Sequence, residues 1–295
     1  VCRFDGLNDS AFGDEGLAMA TSDAFREFEQ TGWGNDAVAL GYHRHFEDVT
    51  TGCIPDLLDA AGFQVGDKVL DVACGAGYVA AAARERGADA TGVDFSAAQI
   101  RLAKQTYPGI RFVDGDAEAL PFADGEFDAV LNAFGMPHAV NPDKVAAEAY
   151  RVLKPAGRFA YASWCEPVKC IAFSMVYDAI RAHGSLDVGL PSGPDFFGCG
   201  RPDYAERVLN GPGFCDVAMK EVPLIWRASS PDTIIDGICG GTVRAAAVLR
   251  RQSPQNLANI KQHLRERIAK FERNGIYAVP APALVVAARK PDGCG

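Results

Sequence analysis

The sequence predicts an α/β protein built on a doubly wound, mostly parallel sheet. Short apolar segments alternate with helical stretches from about residue 67 to 164. A glycine-rich turn follows the first apolar segment, and acidic residues stand at the ends of the first three. Apolar residues on both faces of a strand suit a sheet covered by helices on each side, the usual home of parallel strands.

Residues 23–30 form one expected helix. A second helical stretch carries Val38, Tyr42, Phe46, Ile54, Leu57, Leu58 and Ala61 before Gly62 and Gly66 punctuate the chain. The first strand is KVLDVA (68–73), followed by the glycine turn and an alanine-rich helix through residue 85. ATGVDF (90–95) is the second strand, with a helix over 97–105. IRFVDG (110–115) is the third and FDAVLNA (127–133) the fourth, the latter followed by a helix over 142–153. The turn KPAG leads into the fifth strand, GRFAYASW (157–164).

Beyond Trp164 the rhythm breaks. Residues 184–202 are rich in Gly and Pro, a short helix is expected over 203–209, and 213–228 reads as a sixth strand. A helical insert of about 45 residues follows. Within it Leu257, Ile260, Leu264, Ile268 and Phe271 form an apolar stripe, with Lys261, Arg265, Lys270 and Arg273 largely off it. PALVVAARK (282–290) is the last strand. The expected organisation is an N-terminal helical cap (1–66), a core (67–183), and a third part (184–295) that completes the core and carries the insert.

Composition excludes several classes. No apolar run is long enough to span a membrane. The start, VCRFDGLNDS, is charged early and has no apolar centre, so no signal peptide is expected. A formal charge of −9 argues against nucleic acid as a partner. The charge is uneven: from Arg244 onward ten Lys and Arg face three acids. That basic insert suits an anionic acceptor, the acidic body of the protein or a homodimer contact. The nine cysteines are scattered without a CxxC pair, so reduced thiols, a cytoplasmic location and no metal are expected.

The segment VLDVACGAGYVA (69–80) carries the most information. Gly75 and Gly77 stand where a strand turns sharply into a helix, and a missing Cβ lets a ligand approach the backbone. The free N–H groups of the helix start then favour a negative group. Gly75, Gly77 and Ala80 satisfy GxGxx(G/A), and Asp94 stands where a ribose-binding acid belongs. On that basis alone an NAD(P)-dependent oxidoreductase is an alternative. Asp71 inside the strand and Asp116 after the third strand change the balance. Three carboxylates at neighbouring strand ends repel a pyrophosphate, whereas S-adenosylmethionine brings a sulfonium, an ammonium and no phosphate.

Four ordered pieces carry a resemblance: LDVACGAG, GVDFS, DGDAEALPFADGEFDAV and RVLKPAGRFAYASW. With them the chain resembles the class I S-adenosylmethionine-dependent methyltransferases, nearest to the small-molecule branch that includes the ubiquinone/menaquinone C-methyltransferases. The resemblance implies a Rossmann-like seven-stranded sheet with its last strand antiparallel, capped by the N-terminal segment and the insert. It implies that Asp71 orients the methionine ammonium and that the backbone of Ala73, Gly75 and Gly77 lines methionine and ribose. Asp94 is expected to accept both ribose hydroxyls, Phe95 and Gln99 to cover the adenine, Asp116 to accept its N6 hydrogens and the Ala117 N–H to face a ring nitrogen. Asn132 is expected to present its carbonyl near the methionine end. The expected reaction is methyl transfer to oxygen or carbon of a small, apolar acceptor, leaving S-adenosylhomocysteine. A protein that binds the donor without catalysis is a further alternative. The chain departs from the family pattern at Ala156, where a second glycine is usual, at little expected cost.

Several residues invite more than one reading. His138, after the fourth strand, is a candidate general base or a packed loop residue. His43 and His45 with Glu47 and Asp48 invite a metal, but i,i+2 histidines do not share a helix face, so a solvated surface is preferred. Trp33 and Tyr42 belong to a segment that covers the donor in the family, or to plain core. Cys165, Cys170 and Cys199 lack the spacing of a soft-metal site. Phe196 and Phe197 either line the acceptor pocket or anchor their loop.

Overall fold

The structure, a computed structural model, describes residues 15–292, and side chains from Ser22 onward. Cys2 and Cys294 lie outside those residues.

Helix α1 (Glu15–Trp33) leads into α2 (Asp36–Thr50), which is capped by the Asn35 side chain. A 3₁₀ turn joins α2 to α3 (Ile54–Ala61), which begins with Pro55 and ends at left-handed Gly62. The core then alternates strictly: β1 (Lys68–Val72), α4 (Tyr78–Glu85), β2 (Asp89–Asp94), α5 (Ala97–Thr106) and β3 (Arg111–Asp114). After β4 (Phe127–Ala133), α6 (Pro142–Val152), β5 (Leu153–Trp164), α7 (Ile171–His183) and α8 (Pro202–Asn210) follow. Strands β6 (Cys215–Val222) and β7 (Ile225–Ala228) precede three helices, α9 (Pro231–Gly241), α10 (Arg244–Arg250) and α11 (Pro254–Ala269). The chain closes with β8 (Glu272–Arg273), β9 (Ile276–Pro280) and β10 (Ala283–Arg289).

The main sheet has seven strands in the order β3-β2-β1-β4-β5-β10-β6. The first five run parallel, and β10 runs antiparallel to both β5 and β6. This is the Rossmann-like sheet with an inverted last strand. Its two faces are both apolar because side chains alternate along each strand. On β5, Phe159 and Tyr161 join one core with α6 and α8, while Ala160, Ala162 and Trp164 join the other with α3, α4 and α7.

Three departures from expectation have local causes. The expected strand 213–228 is broken at Pro223, which has no N–H for a ladder; the Leu224 N–H donates to the Val222 carbonyl, and the chain leaves the main sheet. Its second half, β7, instead pairs with β9 in a three-stranded sheet with β8. Helix α7 has no counterpart among the expected elements, although Ala172, Phe173, Met175, Val176, Ala179 and Ile180 bury one helical face. Finally, KPAG is a bulge within β5 rather than a turn before it, and Ala156 there adopts φ +64°. A non-glycine residue in that region is strained by about 1–2 kcal/mol, more than the small cost expected.

No helix among the described residues is long and apolar enough to cross a membrane. Helices α1 and α2 lie over the C-terminal ends of the parallel strands, and the insert packs behind them, α9 along α2 and α11 along α7.

Candidate functional site

At those strand ends a cavity is lined by the β1–α4 turn, the ends of β2 and β4, the segment after β3, and α1 and α2. It lies outside the carboxyl ends of β1 and its neighbours, where such sheets hold ligands.

Asp71 comes from the C-terminal end of β1 and is almost fully buried. Its Oδ2 accepts the Ala80 N–H at 3.0 Å, and its Oδ1 has no partner. Burial, reinforced by nearby Asp94, pushes its carboxyl up to about 8. Asp94 ends β2 and accepts two backbone N–H groups, from Gly75 at 2.9 Å and Ser96 at 2.8 Å. Burial raises it to about 6, against the opposing pull of those hydrogen bonds and of His138. Gln99, on α5, lines the same cavity with its Oε1 unpaired. An orphaned carboxylate oxygen and an orphaned amide oxygen, both buried, are a polar wall waiting for donors.

The two glycines differ in what they make room for. A Cβ on Gly75 would meet only Gln99 Oε1 at 3.9 Å, so the turn opens towards the cavity. A Cβ on Gly77 would fall 2.7 Å from the Phe112 ring, and Gly77 is not part of the cavity wall. Its φ of +88° turns the chain into α4.

Ala73, Phe95, Asp116 and Ala117 all line the cavity. Asp116 Oδ1 accepts the Glu118 N–H at 2.9 Å, and Oδ2 accepts from Arg26 of α1 at 2.5 Å. Asn132 lies below the wall instead: its Nδ2 donates to the Val72 carbonyl and its Oδ1 accepts the Gly135 and Met136 N–H groups. Its side chain therefore braces β1 against the exit of β4, and the neighbouring Ala133, Phe134 and Gly135 form the wall.

Helix α1 contributes residues with no motif. Arg26, Glu29, Gln30 and Trp33 recur at helical spacing along the cavity. Arg26 bridges Asp116 and buried Glu118, the latter at 2.8 Å. Glu29, also buried, accepts from Trp33 Nε1 at 3.0 Å and lies 2.9 Å from His138 Nδ1. The Ser96 hydroxyl donates to the Trp33 carbonyl at 2.6 Å, fixing the end of α1 to the start of α5. In the sequence these charges read as the wet face of an amphipathic helix; the only hint was a pair of aromatic residues, Phe25 and Trp33, spaced to be buried.

Aromatic rings line the same cavity and back its wall. Trp33 meets Tyr42 and His138 edge-on at 5.3 and 5.0 Å, Tyr42 stacks on Phe46, and Phe134 stacks on Trp164. Phe196 touches the His138 ring edge-on, and Phe197 packs on Tyr177, so both anchor their loop beside this wall. His43 pairs with the Tyr78 hydroxyl and Glu47. Cys165, Cys170 and Cys199 are buried thiols, and burial raises all three. Much of the basic insert is engaged locally: Arg244 donates to the Pro191 carbonyl, Arg251 to Val188 and Gly189, and Arg265 to Asp232.

Comparison with known proteins agrees with this geometry. Residues 70–161 match the family described as "Methyltransferase domain". A demethylmenaquinone methyltransferase of Paenarthrobacter aurescens is 29% identical over 231 residues, covering 74% of this chain and 86% of that protein. Another, from Renibacterium salmoninarum, is 38% identical over 133 residues, covering 45% and 53%. Among solved structures, phosphoethanolamine N-methyltransferase 2 of Haemonchus contortus, in complex with S-adenosylhomocysteine, shares the fold. Its TM-score is 0.57 at 18% identity, covering 91% of this chain and 60% of that one.

The matched domain and the relatives make this chain an S-adenosylmethionine-dependent methyltransferase, with a sheet and motifs that resemble those of class I. Its cofactor is S-adenosylmethionine. The unpaired Asp71 and Gln99 oxygens and the open backbone at Gly75 fit a ligand rich in donors and cationic centres. Within the class, the chain resembles the quinone C-methyltransferases.

Proposed function

We propose that this methyltransferase acts on a small, apolar, electron-rich ring, a reduced quinone or a near relative, at a ring carbon or hydroxyl oxygen. The observation that carries this reading is one cavity lined both by Asp71, Asp94 and Asp116 and by the apolar rings of Trp33, Tyr42 and Phe134. In this reading Asp71 serves the methionine ammonium, and the Ala73 and Gly75 backbone lines the methionine and ribose. Gly77 shapes the turn. Asp94 takes the ribose hydroxyls, Phe95 and Gln99 flank the adenine, and Asp116 with the Ala117 N–H reads its edge. Each carboxylate oxygen accepts more than one hydrogen bond, so the N–H groups on Asp94 and Arg26 on Asp116 leave capacity for a ligand. Asn132 acts through the β4 exit rather than by contact.

The bound cofactor supplies an activated methyl group on a sulfonium. The protein's share is alignment of the acceptor and exclusion of water by the cap. Trp33, Tyr42, Ile54 and Phe134 offer a flat, apolar seat, and His138 on its rim takes the proton that an oxygen or carbon acceptor must lose. Helices α1 to α3 form the acceptor-side cap on the core of 67–183, with the insert packed behind α2, and the enzyme works in the cytoplasm. The quinone acceptors in the names of the relatives support the same chemistry.

The test is methyl transfer from labelled S-adenosylmethionine to reduced demethylmenaquinone with a shortened side chain, alongside calorimetry with S-adenosylhomocysteine and NADH. Labelled product whose formation requires His138 supports the reading. Donor binding without turnover on any ring acceptor would leave a non-catalytic donor-binding protein, and tight NADH binding alone would return the oxidoreductase.

A further inference from the structure

We propose that Glu29 of α1 is a positioning residue that fixes the tautomer of His138 and balances the charge it acquires. This rests on the reading of His138 as the base at the acceptor end. Glu29 and His138 are 109 positions apart in sequence, yet Glu29 Oε2 lies 2.9 Å from His138 Nδ1. At that separation a proton must lie between the two atoms, because two bare acceptors would repel each other. Glu29 is a carboxylate that already accepts from Trp33 Nε1, so the proton belongs to Nδ1. Trp33 Nε1 also comes within 3.4 Å of Nδ1, but its shorter contact is to Glu29, consistent with that assignment.

An Nδ1–H imidazole leaves its lone pair on Nε2, which has no partner among the described residues. That is the tautomer a base needs. When the acceptor forms its bond to the methyl carbon, the S–C pair stays with sulfur and the acceptor's proton moves to Nε2. The resulting imidazolium then faces the Glu29 carboxylate. Trp33 and Phe196 hold the ring edge-on, and the Ser96–Trp33 and Arg26–Glu118 bonds hold α1 in place. Other charges bear on the pair: Asp94 feels the imidazole, and Tyr177 of α7 feels both Glu29 and Arg244. They are common to the wild type and a Glu29 variant, so a difference between the two reports Glu29 itself.

The test is Glu29→Leu, which removes the one oxygen, Oε2, that Trp33 Nε1 and His138 Nδ1 share and leaves Trp33 Nε1 to donate to Nδ1. Nitrogen-15 NMR of the imidazoles, with His138→Gln assigning the signal among five histidines, reads the tautomer directly. The wild type should show Nδ1–H. The variant should shift towards Nε2–H, with Trp33 Nε1 as the remaining donor to Nδ1. With the shortened demethylmenaquinol, kcat should fall at least about tenfold, with KM and S-adenosylmethionine affinity held within about twofold. An unchanged tautomer in Glu29→Leu would overturn the pairing, and an unchanged kcat would overturn its part in catalysis. Wild-type protein that shows the Nδ1–H signature but no turnover would instead sink the acceptor reading and with it the catalytic claim.

Discussion

Donor binding should release a proton. Asp71 is enclosed at the end of β1 with one oxygen unpaired, and its carboxyl is pushed up to about 8; Asp94 beside it reaches about 6. At pH 7 the free protein then holds about 0.9 proton on Asp71 and about 0.1 on Asp94. A cationic ligand against these groups favours their charged forms and pulls both back towards the ordinary carboxylate range. About one proton should therefore leave per ligand bound at pH 7, and affinity should rise with pH. Between pH 6 and pH 7, where the ligand's own amine stays protonated, Asp71 contributes about ninefold and Asp94 about 1.8-fold, together roughly 17-fold. Calorimetry of S-adenosylmethionine binding in phosphate and in Tris, whose ionisation enthalpies differ, counts the protons. Asp71→Asn should abolish nearly all of the release. The same shift has a consequence for the free fold. A carboxyl raised on folding holds its proton more tightly in the native state, so its contribution to stability is lost as pH rises from about 4 to about 8. Without ligand, Asp71→Asn should accordingly melt higher than wild type above pH 7, the gap closing towards pH 4. A binding affinity flat across pH 6 to 7, with no proton release, would refute the reasoning.

Three further outcomes are expected. Asp94→Ala removes a buried acceptor shared by the Gly75 and Ser96 N–H groups and should weaken donor binding by about 2–3 kcal/mol, read by the same calorimetry. Ala156→Gly should raise stability by about 0.5–1 kcal/mol in urea unfolding, because relief of the left-handed strain exceeds the extra freedom glycine gives the unfolded chain; a loss would show that the bulge needs the alanine methyl. Arg26→Ala leaves buried Glu118 with the Asn141 N–H as its remaining hydrogen bond, so unfolding should be easier by about 1–2 kcal/mol, a value discounted because Arg26 is about a third exposed. Faster amide exchange along Glu15–Trp33 would locate the loss in α1.

What the sequence by itself determined was the part of the protein whose signals are local. The alternation of apolar segments and helices, the turn at Gly75 and Gly77 and the acids at 71, 94 and 116 lie within one run of the chain, each on or beside the strand that carries it. Parallel packing places all three acids at one edge without further information. Even there, spacing did not say that Gly77 answers to the Phe112 ring rather than to a ligand, or that the Asn132 side chain turns back to β1. Only the tertiary structure decided the acceptor end. Glu29 and His138, Arg26 and Glu118, and Phe134 and Trp164 are partners across long sequence separations, and a charged residue on an amphipathic helix looks the same in sequence whether it faces water or a buried imidazole. The break at Pro223 and the packing of α2 on α9 belong to the same class. They depend on which surfaces the cap buries, and burial is a property of the folded chain.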